Sequence, residues 1–214
     1  MEVRSIDKVL IIGMTESGKT ELAKHLLRTL IPRYVVYDCI GNFTALPGAY
    51  YYTDLASINW QNDKIVFQPF RTPDNEDTLE AICKLALERG QNRMFVCDEL
   101  HGYQSFAHGG VPEMLNKLVK QGRNWGVGFI GATQRLTDIN QTIRTSSKHI
   151  FLFFQQGKDL ELIQESYGQD VSDAVAGLKR FEFIYLQLVL QSGEGGKMGY
   201  VWKKYPPLQL AKAL

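Results

Sequence analysis

The chain has 214 residues, a length that suits one sizeable domain. Hydrophobic residues make up 44% and charged residues 22%, close to ordinary globular usage, which excludes a disordered, collagen-like or disulfide-scaffold chain. Its 24 lysines and arginines nearly balance 23 aspartates and glutamates, so no global positive field marks a nucleic-acid binder and any basic surface has to be local.

The longest apolar runs, Val9-Leu10-Ile11-Ile12 and Ile150-Phe151-Leu152-Phe153-Phe154, fall far short of the roughly 18 to 20 residues that span a bilayer. The start, Met1 to Asp7, lacks the basic, apolar and small-residue order of a signal peptide, so a cytoplasmic location without a transmembrane segment is expected. Cys39, Cys83 and Cys97 lie far apart in apolar stretches without CxxC spacing, which suits reduced thiols better than a bridge or a metal site.

Short β-rich runs alternate with helical periodicity along the chain, the pattern of an α/β domain with a largely parallel sheet. Lys8 to Met14 predicts a first strand, and Leu22, Leu26, Leu27 and Leu30 mark an amphipathic helix stopped by Pro32. Strands are expected at Tyr34 to Ile40 and Lys64 to Phe70, then a helix through Leu79, Ile82, Leu85, Ala86 and Leu87 that ends near Gly90. Met94 to Cys97 and Gly126 to Ala132 are continuous apolar runs, as in strands covered on both faces, with a helix from Pro112 to Gln121 between them. His149 to Phe154 predicts a further strand, followed by helical segments at Leu160 to Tyr167 and Val171 to Leu178. Phe181 to Leu190 and Gly199 to Trp202 flank the turn-rich Ser192-Gly193-Glu194-Gly195-Gly196, which predicts an antiparallel hairpin at the sheet edge. No repeat or linker interrupts residues 1–214, so one domain is expected, with a core over about 8–155 and helices plus hairpin over about 156–214.

Gly13-Met14-Thr15-Glu16-Ser17-Gly18-Lys19-Thr20 fits G-x-x-x-x-G-K-[ST] and lies between a predicted strand and a predicted helix. In such a loop successive N–H groups face phosphates, the helix N-terminus adds its dipole, the lysine reaches the outer phosphates and the hydroxyl ligates magnesium. Gly13, Thr15, Glu16, Ser17, Gly18, Lys19, Thr20 and Glu21 are therefore the candidate nucleotide-binding residues, with Lys19 also catalytic. The strand Met94 to Cys97 delivers Asp98 and Glu99 at its C-terminal end. There Asp98 would join Thr20 in holding the metal, and Glu99 would take the proton of an attacking water.

Lys120-Gln121-Gly122-Arg123-Asn124-Trp125-Gly126 through Ala132-Thr133-Gln134-Arg135 resembles the G-R-x-x-G, hydrophobic strand, A-T-Q-R stretch of the FtsK/HerA superfamily of DNA-pumping ATPases. With the loop and the acid pair in the same order, the resemblance covers about residues 8–155. It implies a RecA-like fold, ATP and Mg2+, and a homo-oligomeric ring, usually hexameric. Gln134 would contact the γ-phosphate or the attacking water, and Arg123 would be an arginine finger reaching a neighbouring subunit's site. A solvated helix-end arginine is the other reading of Arg123. Where many members have Gly, this loop has Glu16, whose carboxylate has to turn away from the phosphates or weaken their binding.

Two further segments each allow two readings. His101-Gly102-Tyr103-Gln104-Ser105-Phe106-Ala107-His108-Gly109-Gly110 suits a strand-contacting loop of a ring motor and, equally, an ordinary surface loop. Lys117, Lys120, Arg123, Arg135, Arg144 and Lys148, with polar residues between them, suit phosphate contacts and, equally, a solvated surface. Because the chain holds little beyond the core, it resembles the compact genome-packaging ATPases of double-stranded DNA viruses with internal membranes. Double-stranded DNA, further copies of the chain and capsid or portal-vertex proteins are then the expected partners, in host cytoplasm or on the virion. A cellular repair or conjugation translocase is the nearest alternative, and a nucleotide-dependent switch or assembly scaffold is an alternative of another class.

Overall fold

The continuous apolar runs become the centre of a sheet covered on both faces. A computed structural model describes residues 2–69, 76–90, 92–100, 110–190 and 198–208. In it the strands are β1 (Lys8–Ile12), β2 (Tyr34–Tyr37), β3 (Tyr50–Tyr52), β4 (Lys64–Phe67), β5 (Arg93–Cys97), β6 (Val127–Thr133), β7 (His149–Leu152), β8 (Phe183–Leu190) and β9 (Met198–Tyr205). Among the described residues they form one sheet in the order β3-β4-β2-β5-β6-β1-β7-β8-β9. All neighbours are parallel until β8, which runs antiparallel to β7 and to β9.

Helices α1 (Lys19–Thr29), α2 (Glu76–Arg89), α3 (Glu113–Gln121), α4 (Gln141–Ser146), α5 (Lys158–Tyr167) and α6 (Gln169–Ala176) cover the two faces. Alternation along β1 sorts the layers. Val9 and Ile11 face Leu22, Ala23, Leu26 and Leu27 of α1, whereas Leu10 and Ile12 share a core with Leu79, Ile82, Leu115, Leu118, Ile163 and Val175 of the other helices. Burying each such leucine or isoleucine contributes about 1.5–3 kcal/mol. Helix α1 ends where Leu30 and Ile31 both donate to Leu26 O, just before Pro32, which has no N–H to continue it.

Register fixes what meets at the C-terminal rim of the parallel strands. Ile12 pairs with Thr133 and Leu152, and Cys97 pairs with Tyr37 and Gly131. The residues that follow these strands, Gly13, Asp38, Asp98, Gln134 and Phe153, therefore emerge side by side. The hairpin returns to the same rim, because Ile184 pairs with Leu152 and Phe183 with Tyr205.

The strands stop earlier than the apolar runs. β2 ends at Tyr37 because the Asp38 carboxylate accepts the amides of Asn42 and Phe43 at 2.8 and 2.9 Å, which turns the chain. β9, by contrast, runs past Trp202 to Tyr205. Two elements carry no signal in the hydrophobic pattern. β3 is a three-residue edge of tyrosines that pairs with β4, and α4 is a short polar helix with one buried residue, Ile143, capped by Asn140. The loop His101–Gly109 and the turn Ser192–Gly196 lie outside the described residues. Among the described residues no helix is long and apolar enough to cross a membrane. The three cysteines are free, Cys83 and Cys97 being buried and Cys39 half-buried.

Candidate nucleotide site

The loop after β1 is shaped by close approach. A Cβ on Gly13 would lie 2.7 Å from Phe153 Cβ, and the Gly13 N–H donates to Thr133 O at 3.1 Å. Gly18 closes the loop at φ 104°, a left-handed conformation that glycine adopts without a steric penalty, and it caps α1 with no side-chain acceptor. The first amides of α1 are thus left for an external anion. Ser17 Oγ is buried without a hydrogen-bond partner, a polar atom that a phosphate oxygen would satisfy.

Lys19, the first residue of α1, is 5% exposed, and its Nζ donates to Met14 O at 3.1 Å. Burial lowers its pKa, and the nearby charges of Glu99 and Asp98 act in the opposite direction. Thr20 Oγ1 donates to Asp98 Oδ2 at 3.1 Å, so the hydroxyl and the acid expected to share a metal already touch. Asp98 is 1% exposed. Burial pushes its carboxyl up and the Glu99 charge adds to this, while hydrogen bonds from Thr20, Asn42 and the Glu99 N–H work the other way.

Glu99 stands at φ 54°, a left-handed conformation that costs a non-glycine residue about 1–3 kcal/mol and is typical of functional positions. Its Oε2 accepts from Gln134 Nε2 at 3.3 Å, which joins the ends of β5 and β6. Thr15 is exposed on the loop, and Glu21 in the first turn of α1 pairs with Lys24 at 2.8 Å. Glu16, at φ 61°, directs its carboxylate to Arg180 Nη2, 3.5 Å away, between two exposed side chains.

Lys19, Thr20, Asp98, Glu99 and Gln134 are thus gathered at one rim. Arg123 is not. It is exposed in a 3-10 turn, Gly122–Trp125, that precedes β6, whereas Gln134 follows it. A seven-residue strand, about 23 Å long, separates the two. Burial, and then the Arg123 charge, lowers the pKa of Lys8, which begins β1. Arg123 therefore sits at the N-terminal rim. The basic residues divide likewise: Lys148 binds Asp7 at 3.4 Å at the N-terminal rim, and Arg135 lines a cleft with Met14, Gln155 and Lys158 beside the loop.

Sequence reading missed three residues that shape the site. Asp38 holds Asn42 N at 2.8 Å and Gln68 Nε2 at 2.7 Å, and Asn42 lies where its side chain favours the charged form of Asp98. Gln155 Nε2 donates to Gln134 O at 3.2 Å. Each lies within the few residues that come after β2 or β7, but which strands are neighbours is not visible in the sequence.

The donor set fits a nucleoside triphosphate with Mg2+. Among the described residues no group of three or more His, Cys, Asp or Glu could hold a metal by itself. Magnesium is commonly held by one or two protein groups plus substrate phosphates, which is what Thr20 and Asp98 offer.

No protein-family model matches the chain, and no curated protein matches it. Among solved structures it is similar to the genome packaging NTPase B204 from Sulfolobus turreted icosahedral virus 2 in complex with ATP-gammaS, with TM-score 0.76, 20% identity and coverage of 96% of this chain and 99% of that one. VirB4 of Thermoanaerobacter pseudethanolicus is similar at TM-score 0.67 and 12% identity, over 91% of this chain and 88% of that one. The cytoplasmic domain of the type VII secretion ATPase EccC from Thermomonospora curvata is similar at TM-score 0.56 and 16% identity, over 92% of this chain and 25% of that one. The expected fold class is borne out: a mostly parallel sheet flanked by helices and closed by an antiparallel hairpin, in the architecture of P-loop ATPases.

Proposed function

We propose that the chain hydrolyses ATP and couples hydrolysis to the movement of double-stranded DNA as an oligomeric ring, in the manner of a viral genome-packaging ATPase. The observation that carries the catalytic half is the Thr20–Asp98 and Gln134–Glu99 contacts at one rim, beside Lys19. Lys19 offsets negative charge on the outer phosphates, and the amides of the loop and of α1 bind the phosphate oxygens. Thr20 and Asp98 would hold Mg2+, which when bound would draw charge from the phosphate oxygens and so ease attack. Glu99 accepts a proton from the attacking water as its oxygen bonds to the γ-phosphorus and the bond to the bridging oxygen of ADP breaks. Gln134, bonded to Glu99, orients that water.

Arg123 supports the oligomeric half. Lying about 23 Å from Gln134 along β6, it serves hydrolysis only in a neighbouring copy's site, where its guanidinium would offset charge on the transferring phosphoryl group. The likeness to a genome packaging NTPase over almost the whole of both chains favours DNA packaging over a switch protein. On this reading the ring also meets capsid or portal-vertex proteins, in host cytoplasm or on the virion.

The test is steady-state ATP turnover of wild type and Arg123→Ala across protein concentration, with and without double-stranded DNA. Turnover per subunit that rises with concentration and with DNA, and collapses in Arg123→Ala, is expected. Flat, DNA-indifferent turnover that survives the substitution would turn the reading to a non-translocating switch.

A further inference from the structure

We infer that the two ends of the C-terminal hairpin form the nucleobase wall of the site, with Phe181 as its main contact. This rests on the reading of Gly13–Thr20 as a triphosphate loop. The direction of the nucleotide follows from the strand order. β1, which carries the loop, lies between β6 and β7. The groups that act on the outer phosphate, Glu99 and Gln134, follow β5 and β6 on one side of it. A triphosphate whose γ end faces those residues has its nucleoside on the other side, over β7, β8 and β9.

A cleft of about 180 Å³ lies there, lined by Gly18, Glu21, Phe153, Phe181, Pro207 and Leu208. Its exposed surface is chiefly apolar and it touches both the loop and the first turn of α1, the features of a wall that holds a base by contact. The sequence reaches it from three separate elements: Phe153 follows β7, Phe181 precedes β8, and Pro207 with Leu208 follow β9. Parallel pairing of β7 with β1 sets Phe153 beside the loop, and antiparallel pairing of the hairpin brings the other two segments back to it.

Phe181 has the features of a residue kept for a ligand. It holds a left-handed backbone at φ 67°, unfavourable for a bulky side chain, and remains 42% exposed, so burial in the core does not account for the strain. Its ring stands against Gly18, where an added Cβ would come within 3.3 Å of Phe181 Cδ1. Arg180 covers the ring at 4.7 Å while reaching Glu16 on the loop at 3.5 Å, which ties the segment to the loop and gives the Glu16 carboxylate a positive partner. Base–aromatic contacts of this kind change affinity by about tenfold.

The experiment is calorimetric titration of wild type, Phe181→Ala and Phe181→Gly with ATP and with inorganic tripolyphosphate, both in Mg2+, alongside melting curves. Affinity for ATP should fall about tenfold in both variants while that for tripolyphosphate stays within twofold. Phe181→Gly should melt no lower than Phe181→Ala, because glycine relieves the left-handed backbone. Wild type that binds ATP with unchanged affinity in the variants overturns the base wall alone, as does an equal loss for ATP and tripolyphosphate. Wild type that binds neither compound overturns the triphosphate reading and the base wall with it.

Discussion

Asp7 and Asp98 are buried carboxylates at opposite rims of one sheet, 4% and 1% exposed, and burial pushes both upward in pKa. At the N-terminal rim that push is overcome. Asp7 receives His149 Nε2 at 3.2 Å, Arg4 N and Nη2 at 3.0 Å, and the charge of Lys148 at 3.4 Å, which together hold its carboxyl far below the usual range. His149 Nδ1 lies 2.7 Å from Tyr185 OH, so the network ties β1, β7 and β8 together. At the C-terminal rim Asp98 has neutral donors and shares the nearby charge of Lys19 with a second carboxylate, Glu99, and its carboxyl stays raised. A carboxylate satisfied within the fold contributes to stability. One left short of positive charge is placed to take a cation.

Substitution of the two acids separates these roles. The largest effect is on turnover: Asp98→Asn should lower ATP hydrolysis more than about 100-fold, read as steady-state phosphate release in saturating Mg2+. Asp7→Asn, with hydrolysis per folded molecule little changed, should lower the melting temperature by about 6–12 °C, from the roughly 3 kcal/mol lost when a buried pair is broken. Asp98→Asn should instead raise the melting temperature by about 2–4 °C at neutral pH.

The pH dependence of the two shifts follows from the signs. The folded pKa of Asp98 is raised, so ionising it costs stability above that pKa, and the gain in Asp98→Asn fades as pH falls toward the unfolded value near 4. The folded pKa of Asp7 is depressed, so its contribution is complete above pH 4 and is lost as pH drops toward the folded pKa. The destabilisation in Asp7→Asn should therefore also shrink in acid, from the opposite sign. Melting curves between pH 3 and 7 would break the comparison if both variants shifted in the same direction.

The smallest expected effect is at the exposed Arg180–Glu16 pair. Arg180→Ala should move the melting temperature by no more than about 1–2 °C yet weaken ATP binding about threefold, and adding Glu16→Gln should restore affinity.

The C-terminal rim was largely legible in the sequence because its parts are local. Gly13 to Thr20 is one continuous stretch of sequence, and Asp98, Glu99 and Gln134 each come after an apolar run. The N-terminal rim was not, because Asp7, His149 and Tyr185 are joined by strand order alone and no spacing along the chain brings them together. The same reason hid Asn42 and Gln155, as well as the approach of Phe181 to Gly18, which depends on the hairpin folding back beside β7. Strand ends were overrun by two or three residues wherever apolar residues continued into the loops, as at Cys39 and Ile40 after β2. β3 and α4 escaped notice since an exposed edge of three residues and a helix with one buried side chain leave no periodic trace.

The central claim is that the C-terminal rim hydrolyses ATP with Glu99 as the base, and Glu99→Gln tests it most directly. ATP affinity by calorimetry should stay within a few-fold of wild type while turnover falls by about 100- to 10,000-fold, with an unchanged melting temperature. Turnover within tenfold of wild type in a folded, ATP-binding Glu99→Gln protein would contradict the account.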